Sequence, residues 1–213
     1  EFKTPLAIIR GEIDLALRRA RSQEDLQRTI GVISEEVDGL IRLVEDLMFL
    51  VRNDAKQLSL QKKDLPLVPV LEQVLKLYHE RARQAKVELV LEAPVKARVL
   101  GDEIYLKRLF TNLLDNAIKF TEQGGKVTVH IGMSGFGRVM VRVEDTGIGI
   151  DPETLEHIGT RFYRADQARA KEGAGLGLSI VKAVCDAHEG TLRFESLPGQ
   201  GTRVFVELPL IKI

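Results

Sequence analysis

Cysteine is almost absent from this chain. Cys185 is the only one in 213 residues, so no internal disulfide can form, and that usage points to a reducing compartment. It lies in the apolar helical stretch SIVKAVCDAH, where a buried, inert thiol is expected. Net charge is absent too. The 31 basic residues match 31 acidic ones, which leaves no basic footprint for nucleic acid or an anionic membrane. No apolar run approaches the ~20 residues of a membrane span. No signal peptide is visible, and the chain opens on Glu1 rather than Met. With 44% hydrophobic and 29% charged residues, what remains is a globular protein, long enough for one large domain or two small ones.

Residues 1 to about 55 carry a helical pattern. Leu26, Ile30, Ile33, Val37, Leu40, Val44, Leu47 and Val51 alternate spacings of four and three, a heptad seam. Leu6, Ile9, Ile13, Ala16 and Ala20 repeat the pattern in a shorter first helix. Ser22-Gln23-Glu24-Asp25 between them is an N-cap signal with an acid three residues on, so the helices form an antiparallel hairpin. Two helices alone bury too little surface to be stable. A symmetric four-helix bundle from two chains, a homodimer through residues 1–55, satisfies the seam; the alternative is a hairpin packed on its own C-terminal domain.

The pattern changes after Asn53. Residues 54–66 are polar, end in Pro66 and suggest a linker. A helix is expected from Leu67 to about Ala85, then strands Val87–Leu91 and Ala97–Leu100 and a helix from Glu103 to about Phe120. Strands Lys126–Met133 and Arg138–Glu144 follow, then a Gly-rich stretch, a helix from about Leu176 to His188, and a hairpin of Thr191–Ser196 and Thr202–Leu208. Helices mixed with mostly antiparallel strands indicate an α+β sandwich; without regular βαβ alternation a doubly wound sheet is disfavoured. The expected domains are therefore a helical hairpin, 1–60, and an α+β domain, 64–213.

Three segments of the second domain carry chemistry. In NLLDNAIKF, Asn112, Asn116 and Lys119 fall on one helical face, and two carboxamides with an ammonium suit a hydrated Mg²⁺ and phosphate oxygens, although a solvated polar face has the same composition. In Asp145-Thr-Gly147-Ile-Gly149 a strand ends in a carboxylate able to accept from an exocyclic amine, and two glycines let backbone approach a ligand. Asp-Thr-Gly also occurs in aspartic proteases, but that fold is nearly all β and has no heptad hairpin. In Gly173-Ala-Gly175-Leu176-Gly177, alternating glycines open a helix, an anion cradle of N–H groups and helix dipole. It lacks the Gly-Lys-Ser/Thr of a Walker A loop, and no strand precedes it. The charged segment before it, Arg161 to Glu172, suggests a mobile lid.

The order and spacing of these segments resemble the transmitter core of a bacterial sensor histidine kinase, in the gyrase/chaperone/histidine-kinase ATPase superfamily. NLLDNAIKF is similar to the N box, DTGIG to the first glycine box, RFYRAD to the phenylalanine box, GAGLGL to the second glycine box, and EFKTPL to the H box from its second residue onward. The first helix looks most like those of membrane-bound two-component sensors, including the heavy-metal-sensor group. The resemblance implies ATP or ADP with Mg²⁺ as cofactors, Asn116 as metal ligand, and Asn112 and Lys119 in support. It implies that Asp145 holds the adenine amine beside Gly147 and Gly149. It further implies that Gly173, Gly175, Leu176 and Gly177 line the phosphates and that Arg164 lies near the nucleotide. Glu1 would activate the phosphoacceptor imidazole, and Thr4 would position a hydrolytic water. That histidine would stand immediately before Glu1, outside this chain, as though a longer protein had been cut beside its reactive residue. His79, His130, His157 and His188 all lie beyond the first helix, so this chain is expected not to phosphorylate itself. The implied setting is the cytoplasmic portion of an inner-membrane sensor anchored by upstream segments, with a response-regulator receiver domain as partner. Superfamily members that hydrolyse ATP carry Glu where Asn112 stands, and an amide cannot act as a base; ATP is expected to be kept for phosphoryl transfer. The alternative is a degenerate kinase that binds ATP or a partner as a regulatory module, or acts chiefly as a phosphatase.

Overall fold

The computed structural model describes residues 2–18, 22–55, 57–135, 137–163 and 174–211. Glu1, Ala20, Arg21, Arg164 and Gly173 lie outside the described residues, as does most of the expected lid. The chain divides into two compact units, Glu1–Lys56 and Gln57–Ile213. No described helix is long and apolar enough to cross a membrane.

The first unit is the expected hairpin, α1 (Lys3–Arg18) and α2 (Gln23–Asp54). Ser22 caps α2, its Oγ accepting from Asp25 N at 3.2 Å. The two helices meet along a line on which Thr29 Oγ1 donates to Glu12 Oε2 at 3.5 Å. The heptad positions are a different stripe. Leu26, Ile30, Val37, Val44 and Val51 are exposed, and Ile33, Leu40 and Leu47 only half-buried. Ile41 and Met48 widen the stripe, α1 adds exposed Leu6, Ile13 and Leu17, and Phe2 is exposed just ahead of it. So much contiguous apolar surface on a two-helix unit marks an interaction face.

The second unit is a two-layer α/β sandwich. Its five-stranded sheet has the order β2-β4-β5-β7-β6, where β2 is Glu88–Glu92, β4 Lys126–Gly135, β5 Arg138–Asp145, β6 Thr191–Ser196 and β7 Thr202–Pro209. β2 and β4 are parallel and the other pairs antiparallel. One face alternates Val127, Val129, Ile131, Val139, Val141, Val143, Val204, Val206 and Leu208, all buried. The buried core is completed by α3 (Leu67–Gln84), α4 (Glu103–Phe120) and α6 (Gly177–Ala187), with Phe110, Leu71 and Ile180 fully buried. Each such side chain contributes about 1.5–3 kcal/mol on removal from water. The other face is a field of ion pairs. Arg203 meets Glu144 at 2.6 Å and Lys126 meets Glu88 at 3.8 Å, while the Arg193 guanidinium lies 3.9 Å from the Phe205 ring centroid. Exposed pairs contribute about 0–1 kcal/mol each, so the apolar face holds the fold.

Two expectations are corrected. Residues 63–66, expected to close a linker, form a strand, β1 (Lys63–Pro66), paired antiparallel with β3 (Arg98–Gly101). The Gly-rich stretch contains a short helix, α5 (Pro152–His157), capped by Asp151. Cys185 is buried as expected, and burial pushes its thiol up to about 12.

A buried polar node ties these elements together. Asp102 caps α4, its Oδ1 accepting from Ile104 N at 3.0 Å and Tyr105 N at 3.4 Å, while Oδ2 accepts from Gln61 N at 2.8 Å. Asp102 N donates to His188 Nε2 at 3.0 Å, so Nδ1 carries the imidazole proton and donates to Val184 O at 2.8 Å. Burial, the largest cause, and the Lys62 ammonium hold the His188 pKa below its ordinary value, against the opposing pull of the Val184 carbonyl and Asp102. Protonation would set a second donor against the Asp102 N–H. The native state therefore refuses a proton that the unfolded chain accepts. Stability is full above the ordinary histidine pKa of about 6.5 and falls as pH drops below it. The melting temperature is expected to fall between about pH 7.5 and about pH 5.5, and His188→Gln should flatten that slope. Equal slopes in the two proteins would refute the assignment.

Candidate nucleotide site

The three chemical segments converge on α4. Asn112, Asn116 and Lys119 lie half-buried along this helix. Asn112 Nδ2 donates to Arg108 O at 2.8 Å. A Cβ on Gly177 would sit 2.7 Å from Asn112 Oδ1, so any larger residue would force this carboxamide to shift from the first turn of α6. The α6 N-terminus carries no side-chain cap, leaving its first N–H groups uncapped by any described side chain. Gly175 has φ +71°, a left-handed conformation that favours glycine. Its carbonyl accepts from Phe162 N at 3.1 Å, which ties the Gly-rich turn to the start of the lid segment. Phe162 itself has φ +61°, uncommon for an aromatic residue. Leu176, expected beside the phosphates, is 1% exposed: its side chain anchors the turn in the core and only its backbone serves the loop.

The far end of α4 meets the other loop. Ile148 N donates to Phe120 O at 3.2 Å, and a Cβ on Gly147 would collide with that carbonyl. A Cβ on Gly149, at φ +70°, would likewise collide with Leu197 O in the β6–β7 turn. These glycines were expected to admit a ligand; their own chain already requires them. Asp145 ends β5 between them, with Oδ1 accepting from Gly147 N at 2.9 Å and from Thr202 N at 3.2 Å. Burial, the largest cause, raises its carboxyl pKa, opposed by the two backbone donors and reinforced by Glu144.

The structure thus brings Asn112 to Gly177, and Phe120 to Gly147 and Ile148, both along one helix. Thr4 lies exposed in the first turn of α1, in the other unit. Three residues around Asp145 had no sequence signal beyond a hairpin turn. Thr202 is its cross-strand partner, Gly201 (φ +76°) packs on its carbonyl, and Ser196 is the partner of Thr202 in β6. Only the strand register reveals them. Among the described residues, no group of three or more His, Cys, Asp or Glu could hold a metal ion.

Comparison with known proteins accounts for both units. Residues 101–212 match the model of the histidine kinase-, DNA gyrase B-, and HSP90-like ATPase, and residues 1–56 match the His Kinase A (phospho-acceptor) domain. The sensor histidine kinase YclK of Bacillus subtilis (strain 168) is 33% identical over 213 residues, covering 99% of this chain and 45% of YclK. Full-length ShkA, solved in complex with AMPPNP, matches at a TM-score of 0.79 and 29% identity, over 100% of this chain and 44% of that one. Histidine kinase ThkA in complex with response regulator protein TrrA matches at a TM-score of 0.74 and 25% identity, over 98% of this chain and 58% of that one. The chain spans about half the length of the curated relatives it matches. It belongs to the histidine kinase-, DNA gyrase B- and HSP90-like ATPase family, with a His Kinase A domain preceding the ATPase domain as in the sensor histidine kinases it resembles.

Proposed function

We propose that the chain is the dimerisation, phosphotransfer and ATP-binding core of a two-component sensor kinase. The reaction is ATP plus a histidine giving phosphohistidine and ADP, followed by transfer of the phosphoryl group to an aspartate of a response regulator. The observation that carries the reading is the single helix, α4, that meets both Gly-rich loops at once, one through the Asn112 carboxamide and the other through its last carbonyl, Phe120 O. The donor set suits the nucleotide. Asp145 Oδ2, with no hydrogen-bond partner among the described residues, accepts from the adenine amine. The uncapped N–H groups at Gly177 face phosphate, with Gly175 in the turn just before them; Gly173 and Arg164, outside the described residues, are assigned to the same ligand by the family motif alone. Asn116 would supply one oxygen to a hydrated Mg²⁺, while Asn112 and Lys119 would hold phosphate oxygens. When bound, the metal neutralises phosphate charge. Asn112 also argues against transfer to water, because its amide takes up no proton; one Nδ2 proton goes to Arg108 O, which fixes the carboxamide and leaves the second proton for a phosphate oxygen. In the first unit, Glu1 orients the reactive imidazole and Thr4 a water for dephosphorylation of the partner. The apolar stripe of α2 pairs with a second copy. The setting is the cytoplasmic side of a membrane-anchored sensor.

The reading is tested by titrating ATP into the chain. Binding of micromolar order, about −8 kcal/mol, is expected with Mg²⁺, and Asn116→Ala should flatten the Mg²⁺ dependence. A polypeptide of these 213 residues should take no acid-labile label from ATP, since its histidines lie outside α1, whereas one extended by histidine and its upstream helix should. Absence of ATP binding would sink the proposal.

A further inference from the structure

Asp145, Thr202 and Ser196 form one row across three strands. Asp145 pairs with Thr202 between β5 and β7, and Thr202 with Ser196 between β7 and β6. Directly opposed residues point to the same face of a sheet, so the three side chains are neighbours. The Ser196 hydroxyl makes three contacts there: Ile150 N at 2.8 Å, Gly201 O at 2.8 Å and Thr202 Oγ1 at 2.9 Å.

A hydroxyl has one proton and two lone pairs, so three partners exhaust it. The Gly201 carbonyl only accepts, and therefore receives the Ser196 proton. The Ile150 N–H only donates, and fills one lone pair. The remaining contact must be donated by Thr202 to the other lone pair. The proton of Thr202 is thus consumed, and its oxygen offers only lone pairs. Beside it, Asp145 Oδ1 is filled by two backbone donors, and Oδ2 of the carboxylate also only accepts.

We infer that Ser196 is a positioning residue that sets the hydrogen-bond polarity of the base site. By taking the Thr202 proton it leaves two adjacent acceptors for the two N–H groups of the adenine amine, and both repel a purine with a carbonyl at that position. The inference rests on the adenine site proposed above. Ser196 touches no substrate atom; it acts through Thr202. A site whose buried polar groups match one ligand rejects the analogue with reversed donors strongly, because the mismatch leaves groups unpaired.

Inosine triphosphate tests this directly, since it replaces the adenine amine by a carbonyl and N1 by N1–H. The full chain should prefer ATP over inosine triphosphate by about 100-fold or more. In Ser196→Ala the Thr202 hydroxyl turns free to donate, and the preference should drop about tenfold or more, with the inosine nucleotide holding or gaining affinity. Ser196→Thr keeps the hydroxyl and should restore the preference. Thr202→Val removes the acceptor; ATP should weaken while the inosine nucleotide does not, a result that stands even should Ser196→Ala fail to fold. An unchanged preference in folded Ser196→Ala, or in Thr202→Val, overturns the inference while leaving the adenine site intact. A wild-type chain that binds neither nucleotide overturns the adenine site itself.

Discussion

Val37→Asp is expected to convert a dimer into a monomer at micromolar concentration. Val37 is 40% exposed in the single chain, so a carboxylate there costs the monomer little. In a two-fold bundle the same position lies in the seam of both copies, and two carboxylates would be buried without partners, a cost of several kcal/mol. Ile33→Asp should act likewise but also disturb the hairpin, since Ile33 is half-buried within it. Light scattering of the wild type and Val37→Asp reads the outcome. A wild type already monomeric at that concentration would show that the stripe of Leu26, Ile30, Val37, Ile41, Val44 and Met48 is covered by something other than a second copy.

The second large effect is expected at Asp145. Asp145→Ala strips the acceptor from Gly147 N and Thr202 N and leaves the adenine amine unpaired, weakening ATP by about 1–3 kcal/mol. Asp145→Asn separates binding from stability. Because burial raises the native carboxyl pKa above its unfolded value, the unfolded chain gives up its proton first. The carboxyl is therefore tolerated below the unfolded value of about 3.9, and its ionised form subtracts stability as pH rises through the native pKa. The amide keeps an oxygen for both backbone donors and carries no charge. Asp145→Asn should raise the melting temperature of the ligand-free chain near neutral pH while lowering ATP affinity. Unchanged affinity in both variants, by calorimetry, would remove Asp145 from the base site.

Most local structure was legible because local patterns cause it. The Ser22 cap, the α4 bounds Glu103–Phe120 and the β6–β7 hairpin all lie within a residue or two of expectation. Where the reading failed, the cause was distant in the chain. Residues 63–66 look like linker because their partner is β3, more than 30 residues on. The heptad announced an apolar stripe on α2, but periodicity does not say which flank closes on α1 and which stays open. The motif glycines were found for one reason and needed for another: Gly147, Gly149 and Gly177 are imposed by Phe120, Leu197 and Asn112, neighbours that no spacing rule names. Ser196 and Thr202 sat in plain strand positions, and their roles follow from which strand lies beside which.

The Gln61–Asp102 bond has a consequence for modularity. Exchange of hairpins between relatives, by recombination or by hand, succeeds where the cut severs no structure. The polar segment ahead of β1 looks like the place to cut, yet Gln61 N fills the oxygen of Asp102 that the α4 cap leaves over, and Lys62 pairs with Glu189 at 3.2 Å. A seam placed at residue 64 divides the catalytic unit from part of its own foundation; one placed near residue 57 carries the whole unit across intact.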